Sequence, residues 1–167
     1  MKLFSANIED LRTLYISQLR KALDMEQSIT KALPKLIENA SDPELASALQ
    51  NHLGETEGHV SKVRRLLETN TEDNSTEPCK AIDGLAKEAS DSIMDAADPA
   101  VRDIVIIASA QQVEHHEIAV YGTLRHWAEI LGLSGDADVL EAIESDEIEA
   151  DGTLTEISNT VNFQAAL

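Results

Sequence analysis

Cysteine is nearly absent from this sequence of 167 residues, which contains only Cys79. A single thiol excludes an internal disulfide, a CxxC redox pair, a zinc cluster and a four-cysteine iron site. Glycine and proline are also few, with seven and four residues, so a β-rich fold with many turns is not expected. Without these residues, any metal chemistry must depend on oxygen and nitrogen donors.

Basic and aromatic residues are also scarce. Thirteen Lys and Arg against 31 Asp and Glu give a net charge of −18, and aromatic residues make up 3% of the chain. Nucleic acids and anionic membranes are therefore not expected as partners. The longest apolar run, residues 104–108, is too short to span a bilayer. The N-terminus lacks the apolar stretch of a secretory signal, so we expect a cytoplasmic protein.

Apolar residues make up 43% of the chain and predict one all-α globular domain over residues 1–167. Asp42-Pro43 and Asp98-Pro99 have the N-cap and first-turn pattern of helix starts. Two long helices, a long crossover and two more long helices are the connectivity of a ferritin-like four-helix bundle. The predicted helices cover 5–40, 43–69, 99–131 and 136–158, with a short fifth helix at 78–95 in the crossover and a tail at about 159–167.

Each long predicted helix carries a carboxylate inside its apolar stripe or at its edge, namely Glu26, Glu55, Glu114 and Glu147. Charged side chains rarely enter a core unless they are paired or bind a cation. A single such residue usually reaches water through its aliphatic stem. When all four helices carry a carboxylate at an inward position, a dinuclear metal site is favoured. Two divalent cations would also remove the repulsion between the buried acids.

Other potential ligands lie on or beside the same stripes: His52 and His59 on the second helix, Glu117 on the third long helix, and Glu144 and Asp151 on the last. A buried histidine is more often a hydrogen-bonded core residue than a ligand, and only the neighbouring acids favour metal binding here. Carboxylate and imidazole donors suit iron or manganese. We therefore predict two divalent metal ions, iron first and manganese as the alternative.

Several segments resemble the bacterial YciE/YciF family. Residues 112–124 (QVEHHEIAVYGTL) are similar to its signature VEHYEIAxYGTL, and the likeness extends to residues 31–35 (KALPK), 52–56 (HLGET) and 79–85 (CKAIDGL). This family is ferritin-like and rubrerythrin-like and is associated with stress responses. The resemblance implies that the four stripe carboxylates are the helix carboxylates of a dimetal centre.

The chain departs from the Glu-x-x-His pattern that the resemblance implies on the second and fourth helices. Gly58 follows Glu55 by three residues, and Ala150 follows Glu147 by three. The resemblance then leaves His59 or His52 to supply the imidazole of the second helix. The fourth helix has no histidine, so Glu144 or Asp151 of that helix, or Glu117 of the third long helix, would take that role.

Three functions remain open from the sequence. The first is a dimetal protein that acts on oxygen or peroxide in oxidative-stress defence. The second is an iron-binding protein without turnover, and the third is a non-enzymatic stress or structural protein with a vestigial or stabilising metal site. We also predict a homodimer, because Val120, Trp127 and Ile130 face away from the carboxylate side of the third long helix.

Overall fold

The computed structural model describes residues 8–165, apart from the side chains of residues 163 and 164. This part of the chain contains five α-helices and no β-strand. They are α1 (Leu11–Asn39), α2 (Pro43–Thr71), α3 (Lys80–Asp95), α4 (Pro99–Ile130) and α5 (Ser134–Ala165). The predicted all-α bundle with a short helix in its crossover is confirmed. Among the described helices, none is long and apolar enough to cross a membrane.

Aspartate caps start α2 and α4, as the sequence pattern predicts. The Asp42 carboxylate accepts hydrogen bonds from the backbone N–H groups of residues 44 and 45, and Asp98 does the same for residues 100 and 101. These bonds satisfy backbone donors that have no partner within the helix. At the other end of α4, Gly132 adopts a φ of 72°, a left-handed conformation that glycine adopts without strain.

Three predicted boundaries are corrected. The first helix starts at Leu11 instead of residue 5, because Asp10 forms a capping box with Thr13; residues 5–7 lie outside the described part. The short helix starts at Lys80, after the turn at Cys79. The last helix extends to Ala165 instead of ending at 158, so residues 159–165 are helical where a tail was expected. There the buried side chain of Val161 continues the core-facing stripe.

The four long helices form two antiparallel pairs, α1 with α2 and α4 with α5. Arg12 near the start of α1 donates to the side chain of Asn70 near the end of α2, at 2.9 Å. Arg125 late in α4 similarly donates to Glu144 early in α5, at 2.8 Å. Since α2 and α4 run in the same direction, the segment between them must return along the bundle.

The crossover returns along α1. Arg20 pairs with Asp73 at 2.9 Å, and the backbone N–H of Cys79 donates to Asp24 at 2.8 Å. Farther along, α3 packs against both α1 and α4. The third long helix of the prediction, α4, is therefore covered on one side by the bundle core and on another by α3. This explains why it is apolar around most of its circumference.

A buried aspartate closes each end of the bundle. At one end, Asp103 of α4 accepts from the backbone N–H groups of Ser41 and Asp42, at 2.7 and 2.9 Å. At the other end, Asp136 of α5 accepts from the Tyr15 hydroxyl at 2.8 Å and from the Asn70 side-chain amide at 2.7 Å. These contacts join helices that are distant in sequence and limit how far they can slide past one another.

We predict that Asp103→Ala lowers the free energy of unfolding by about 3 kcal/mol, because two backbone donors lose a charged acceptor. Chemical denaturation of the variant and the parent protein measures this difference. Asp91→Ala, at an exposed position on α3, is the control and should change stability little. Equal effects of the two substitutions would contradict the role given to Asp103.

Candidate metal centre

Six titratable side chains meet in the middle of the bundle, and none is more than 6% exposed. The helical repeat explains their convergence, because each lies among buried apolar neighbours on the inward face of its helix. On α2, for example, His52 and His59 share the buried stripe with Thr56 and Val63. The six are Glu26 of α1, His52 and His59 of α2, Glu114 and Glu117 of α4, and Glu147 of α5.

Their donor atoms form two overlapping groups. In the first, His52, Glu114, Glu117 and Glu147 each offer one ligand atom, and these atoms lie within 4.8 Å of one another. In the second, Glu26 and His59 join Glu147 within the same limit. Glu147 belongs to both groups, so its carboxylate lies where it could bridge two metal ions.

The donor atoms in these groups lack hydrogen-bond partners to an unusual degree. Ten buried side-chain nitrogen and oxygen atoms of the described residues have no hydrogen-bond partner, and nine belong to these six residues. Both oxygens of Glu117 are among them, and so are both oxygens of Glu147, although its Oε1 is close to a nitrogen of His59. Because buried polar atoms are normally satisfied, this concentration fits a site that binds a cation.

The two histidines are held by different partners. His59 Nδ1 lies 2.9 Å from Glu147 Oε1, and His59 Nε2 lies 3.0 Å from Asp146 Oδ2. Lys62 also contacts Asp146, at 3.2 Å. A carboxylate on the far nitrogen of a histidine fixes the ring orientation at metal sites, and Asp146 is placed to do this. His52 instead has Nε2 at 3.3 Å from Glu114 Oε1.

Tyr121 contributes the other polar contact of the centre. Its hydroxyl, fully buried, donates to Glu26 Oε1 through a short hydrogen bond. The sequence pattern predicted no role for Tyr121 or for Asp146, which precedes a stripe residue and contacts a helix distant in sequence. In both cases the side-chain type was visible in the sequence, but the partner across the bundle was not.

Three residues proposed from the sequence lie outside both groups. Glu55 lies at the edge of the α2 stripe, so its side chain turns outward and is 52% exposed. Glu144 pairs with Arg125 at 2.8 Å, and Asp151 accepts from Gln111 at 3.2 Å. The expected convergence of Glu55 with the other helix carboxylates is therefore corrected, and His52 is the α2 residue in the first group.

Burial raises the pKa of the acids in the metal-free centre. The pKa of Glu26 rises to about 8 and that of Glu114 to about 9, in each case through burial first and then through the charge of Glu147. Burial, followed by the charges of Glu26 and Glu147, raises the pKa of Glu117 well above its ordinary value. These acids are therefore protonated at neutral pH when no metal is bound.

The histidines respond in opposite directions. Burial by itself would lower the pKa of His59, but contact with Glu147, followed by the charge of Glu26, outweighs it and raises this pKa to about 9. For His52, burial outweighs the charges of Glu147 and Glu55 and lowers the pKa. The carboxylate contacts of His59 therefore favour its charged form, whereas the burial of His52 favours its neutral form.

We predict that the metal-free protein loses stability as the pH rises from about 5 to about 9. A carboxyl group with a raised pKa binds more protons in the folded state, so the free energy of unfolding falls between its unfolded and folded pKa values. For Glu26 and Glu114 this interval runs from 4.5 to about 8 and about 9. His59 has the same sign, since its stabilising pair is lost as the pH rises through about 9.

Glu117→Gln isolates one of these groups. At pH 9 this variant should raise the free energy of unfolding of the metal-free protein by about 2 kcal/mol, and at pH 5 it should change it little. Thermal and urea unfolding in the presence of a chelator provide the measurement. Glu141→Gln, at an exposed position on α5, is the matched control. A pH-independent effect of Glu117→Gln would count against a protonated Glu117.

Comparison with known proteins places this chain in a family. The family model described as "Domain of unknown function (DUF892)" matches residues 10–166. Protein YciF of Escherichia coli is 35% identical over 161 residues, which cover 95% of this chain and 97% of YciF.

Solved structures have the same fold. YcfI of Rhodopseudomonas palustris is 40% identical, with a TM-score of 0.88 over 92% of this chain and 98% of its own. The crystal structure of the E. coli stress protein YciF has a TM-score of 0.86 at 32% identity, over 92% of this chain and 97% of that chain. The sequence resemblance is confirmed, and the chain belongs to the DUF892 family, which includes YciF.

Proposed function

We propose that the protein is a dimetal carboxylate protein that reacts with oxygen or peroxide in a stress response. The observation that carries this proposal is the pair of overlapping ligand groups that share Glu147. A single stabilising ion would need only one group, whereas two groups with a common carboxylate match the arrangement of dimetal sites in four-helix bundles.

The donor set supports iron or manganese. Four carboxylates and two imidazoles, with no sulfur, suit these metals better than copper(I) or structural zinc. When bound, two such ions would supply the electrons for reduction of oxygen or peroxide. Glu114 and Glu117 with His52 would hold one ion, Glu26 and His59 the other, and Glu147 both.

Two neighbouring residues would orient these ligands. Asp146 holds the ring of His59 through Nε2, which leaves Nδ1 facing the centre. Tyr121 stays neutral, since burial raises the pKa of its hydroxyl well above the ordinary value, and it donates a hydrogen bond to Glu26 Oε1. This bond orients the Glu26 carboxyl group beside the centre.

A small uncharged oxidant would have access through an apolar cavity between α1, α3 and α4. The cavity has a volume of about 120 Å³ and includes Ile29, Leu33, Ile82 and Val113 in its wall, and it also reaches His52 and Glu114. Its aliphatic wall favours small uncharged molecules over ions. This feature supports turnover with oxygen over a purely stabilising ion.

The relatives are described in two ways, and YcfI of Rhodopseudomonas palustris is described as a "putative structural protein". YciF of E. coli, which is 32% identical in the structural comparison, is described as a stress protein. We extend that association to this chain as part of the proposed function. The second and third functions left open by the sequence, iron binding without turnover and a structural role, become outcomes of the experiments below.

We predict that the protein purified without chelator contains two iron or manganese ions per chain. Glu147→Gln should lose most of this metal, because it removes the carboxylate common to both groups. Elemental analysis of the variant and the parent protein measures the difference. Glu141→Gln has the same charge change on the same helix and should keep its metal. No bound metal in the parent protein would leave the structural role as the better account.

Turnover separates a dimetal protein that acts on oxygen or peroxide from an iron-binding protein without turnover. The metal-loaded protein should consume peroxide or, with a reductant, oxygen, and an electrode measures either reaction. A loaded protein that binds iron stoichiometrically but consumes neither would be an iron-binding protein. Glu147→Gln treated in the same way is the blank, since free metal ions also react with peroxide.

We also propose that the protein is a homodimer. The apolar residue Ile130 of α4 is 61% exposed, whereas Val120 and Trp127 are half-buried against the core and α3 covers part of α4. Ile130 therefore offers apolar area that a second copy of the chain would cover. Sedimentation should give twice the chain mass of 18.2 kDa, and Ile130→Glu should weaken the dimer. A monomer at micromolar concentration would contradict the proposal.

A further inference from the structure

A second opening reaches the centre from the opposite side, between α2 and α5. This α2–α5 groove has a volume of about 180 Å³, and several acidic side chains lie along it. Glu55 of α2 and Glu149 of α5 are exposed, whereas Glu114 of α4 is buried and lies at its inner end. The other polar residues that line it are Asn51, His52, Asp146 and Thr153.

Two of the lining side chains are more than nine-tenths buried and have unpartnered polar atoms. They are His52, with both ring nitrogens unpartnered, and Glu114, with Oε2 unpartnered. The Nε2 of His52 lies 3.3 Å from Glu114 Oε1. Its Nδ1 lies 3.6 Å from Glu55 Oε2 and 4.0 Å from Glu147 Oε2, between the groove and the centre. His52 thus lies between the exposed carboxylate of Glu55 and the buried ligands.

The two openings differ in charge. At the apolar cavity between α1, α3 and α4, Lys31 and Lys35 are exposed on the rim, and Lys35 donates to Ser90 of α3 at 2.7 Å. An aliphatic wall and two ammonium groups disfavour a divalent cation. In the α2–α5 groove, Glu55 and Glu149 concentrate cations near the mouth. Asp146 is already paired with Lys62 and His59.

We propose that the α2–α5 groove is the path by which divalent cations reach the centre, and that Glu55 and His52 Nδ1 form a transient binding site on it. The inference rests on the proposed function, since it requires a centre that takes up metal. It gives Glu55 a role different from the one the sequence suggested: it captures the cation at the mouth instead of holding it inside. Iron(II), manganese(II) and cobalt(II) fit this oxygen and nitrogen pair.

Cobalt(II) is a suitable probe, because its visible absorption changes when it is bound. Metal-free protein is mixed with cobalt(II) in a stopped-flow instrument, and the rate and the final amount bound are measured for the parent and for the double variant Glu55→Gln, Glu149→Gln. We expect the double variant to bind the same final amount at a rate about tenfold lower. The difference should shrink as the salt concentration rises, since exposed charges are screened.

A double variant with the same change in charge is the control. Glu57→Gln with Glu141→Gln removes one exposed carboxylate from α2 and one from α5, away from the groove. It should take up cobalt(II) at nearly the parent rate. Equal slowing in both double variants would reduce the effect to overall charge and overturn the proposed path.

The remaining outcomes are also decisive. Unchanged uptake in Glu55→Gln, Glu149→Gln would overturn the inference while the metal centre stands. A lower final amount of cobalt(II) in Glu55→Gln alone would show that Glu55 is a ligand of the centre itself, which also overturns it. If the parent protein binds no cobalt(II), iron(II) or manganese(II), the proposed function fails, and that failure is visible before any variant is compared.

Discussion

The main physical constraint on this structure is the burial of six titratable groups in the middle of one helical bundle. Removing carboxylates from water is strongly unfavourable unless protons or cations neutralise them. In the metal-free protein, protons do this at Glu26, Glu114 and Glu117, whose pKa values are raised. Metal ions would have to displace these protons, so metal affinity and pH are linked through the same oxygen atoms.

The rest of the fold keeps these groups in register. Ligand atoms from three helices must stay within 4.8 Å of one another in each group, and a slip of one helical turn moves a residue by about 5.4 Å. The buried carboxylates of Asp103 and Asp136 lock the helices together at the two ends of the bundle. The crossover, which is bound to α1 through Asp24 and Arg20, positions α3 beside the centre. The contacts at the ends of the bundle therefore help to keep the ligand atoms in the middle at fixed positions.

Helix type, connectivity and most inward positions follow from the sequence pattern, since a stripe recurs every three or four residues whatever the partner helix. The direction in which a side chain at the edge of a stripe turns does not follow from this pattern. Glu55 and His52 are three residues apart on α2, and the sequence favoured Glu55 as a ligand, with His52 only as an additional candidate; the structure turns Glu55 outward and His52 inward. The roles of Asp146 and Tyr121 were not predicted because each depends on a contact across the bundle. The extension of α5 past residue 158 was also missed, although Val161 follows Ile157 by four residues on the same buried stripe.

The energetics of Glu117 favour a metal function over a purely structural one. Both of its oxygens are buried without a hydrogen-bond partner, and the charges of Glu26 and Glu147 add to the effect of burial on its pKa. An apolar side chain of similar volume at this position would stabilise a bundle that had no metal to bind. A carboxylate there weakens the metal-free fold and contributes nothing to packing. A proton neutralises this group when no metal is bound, but its cost in stability has a function only if the group binds a cation, as at other sites where stability is lost for activity.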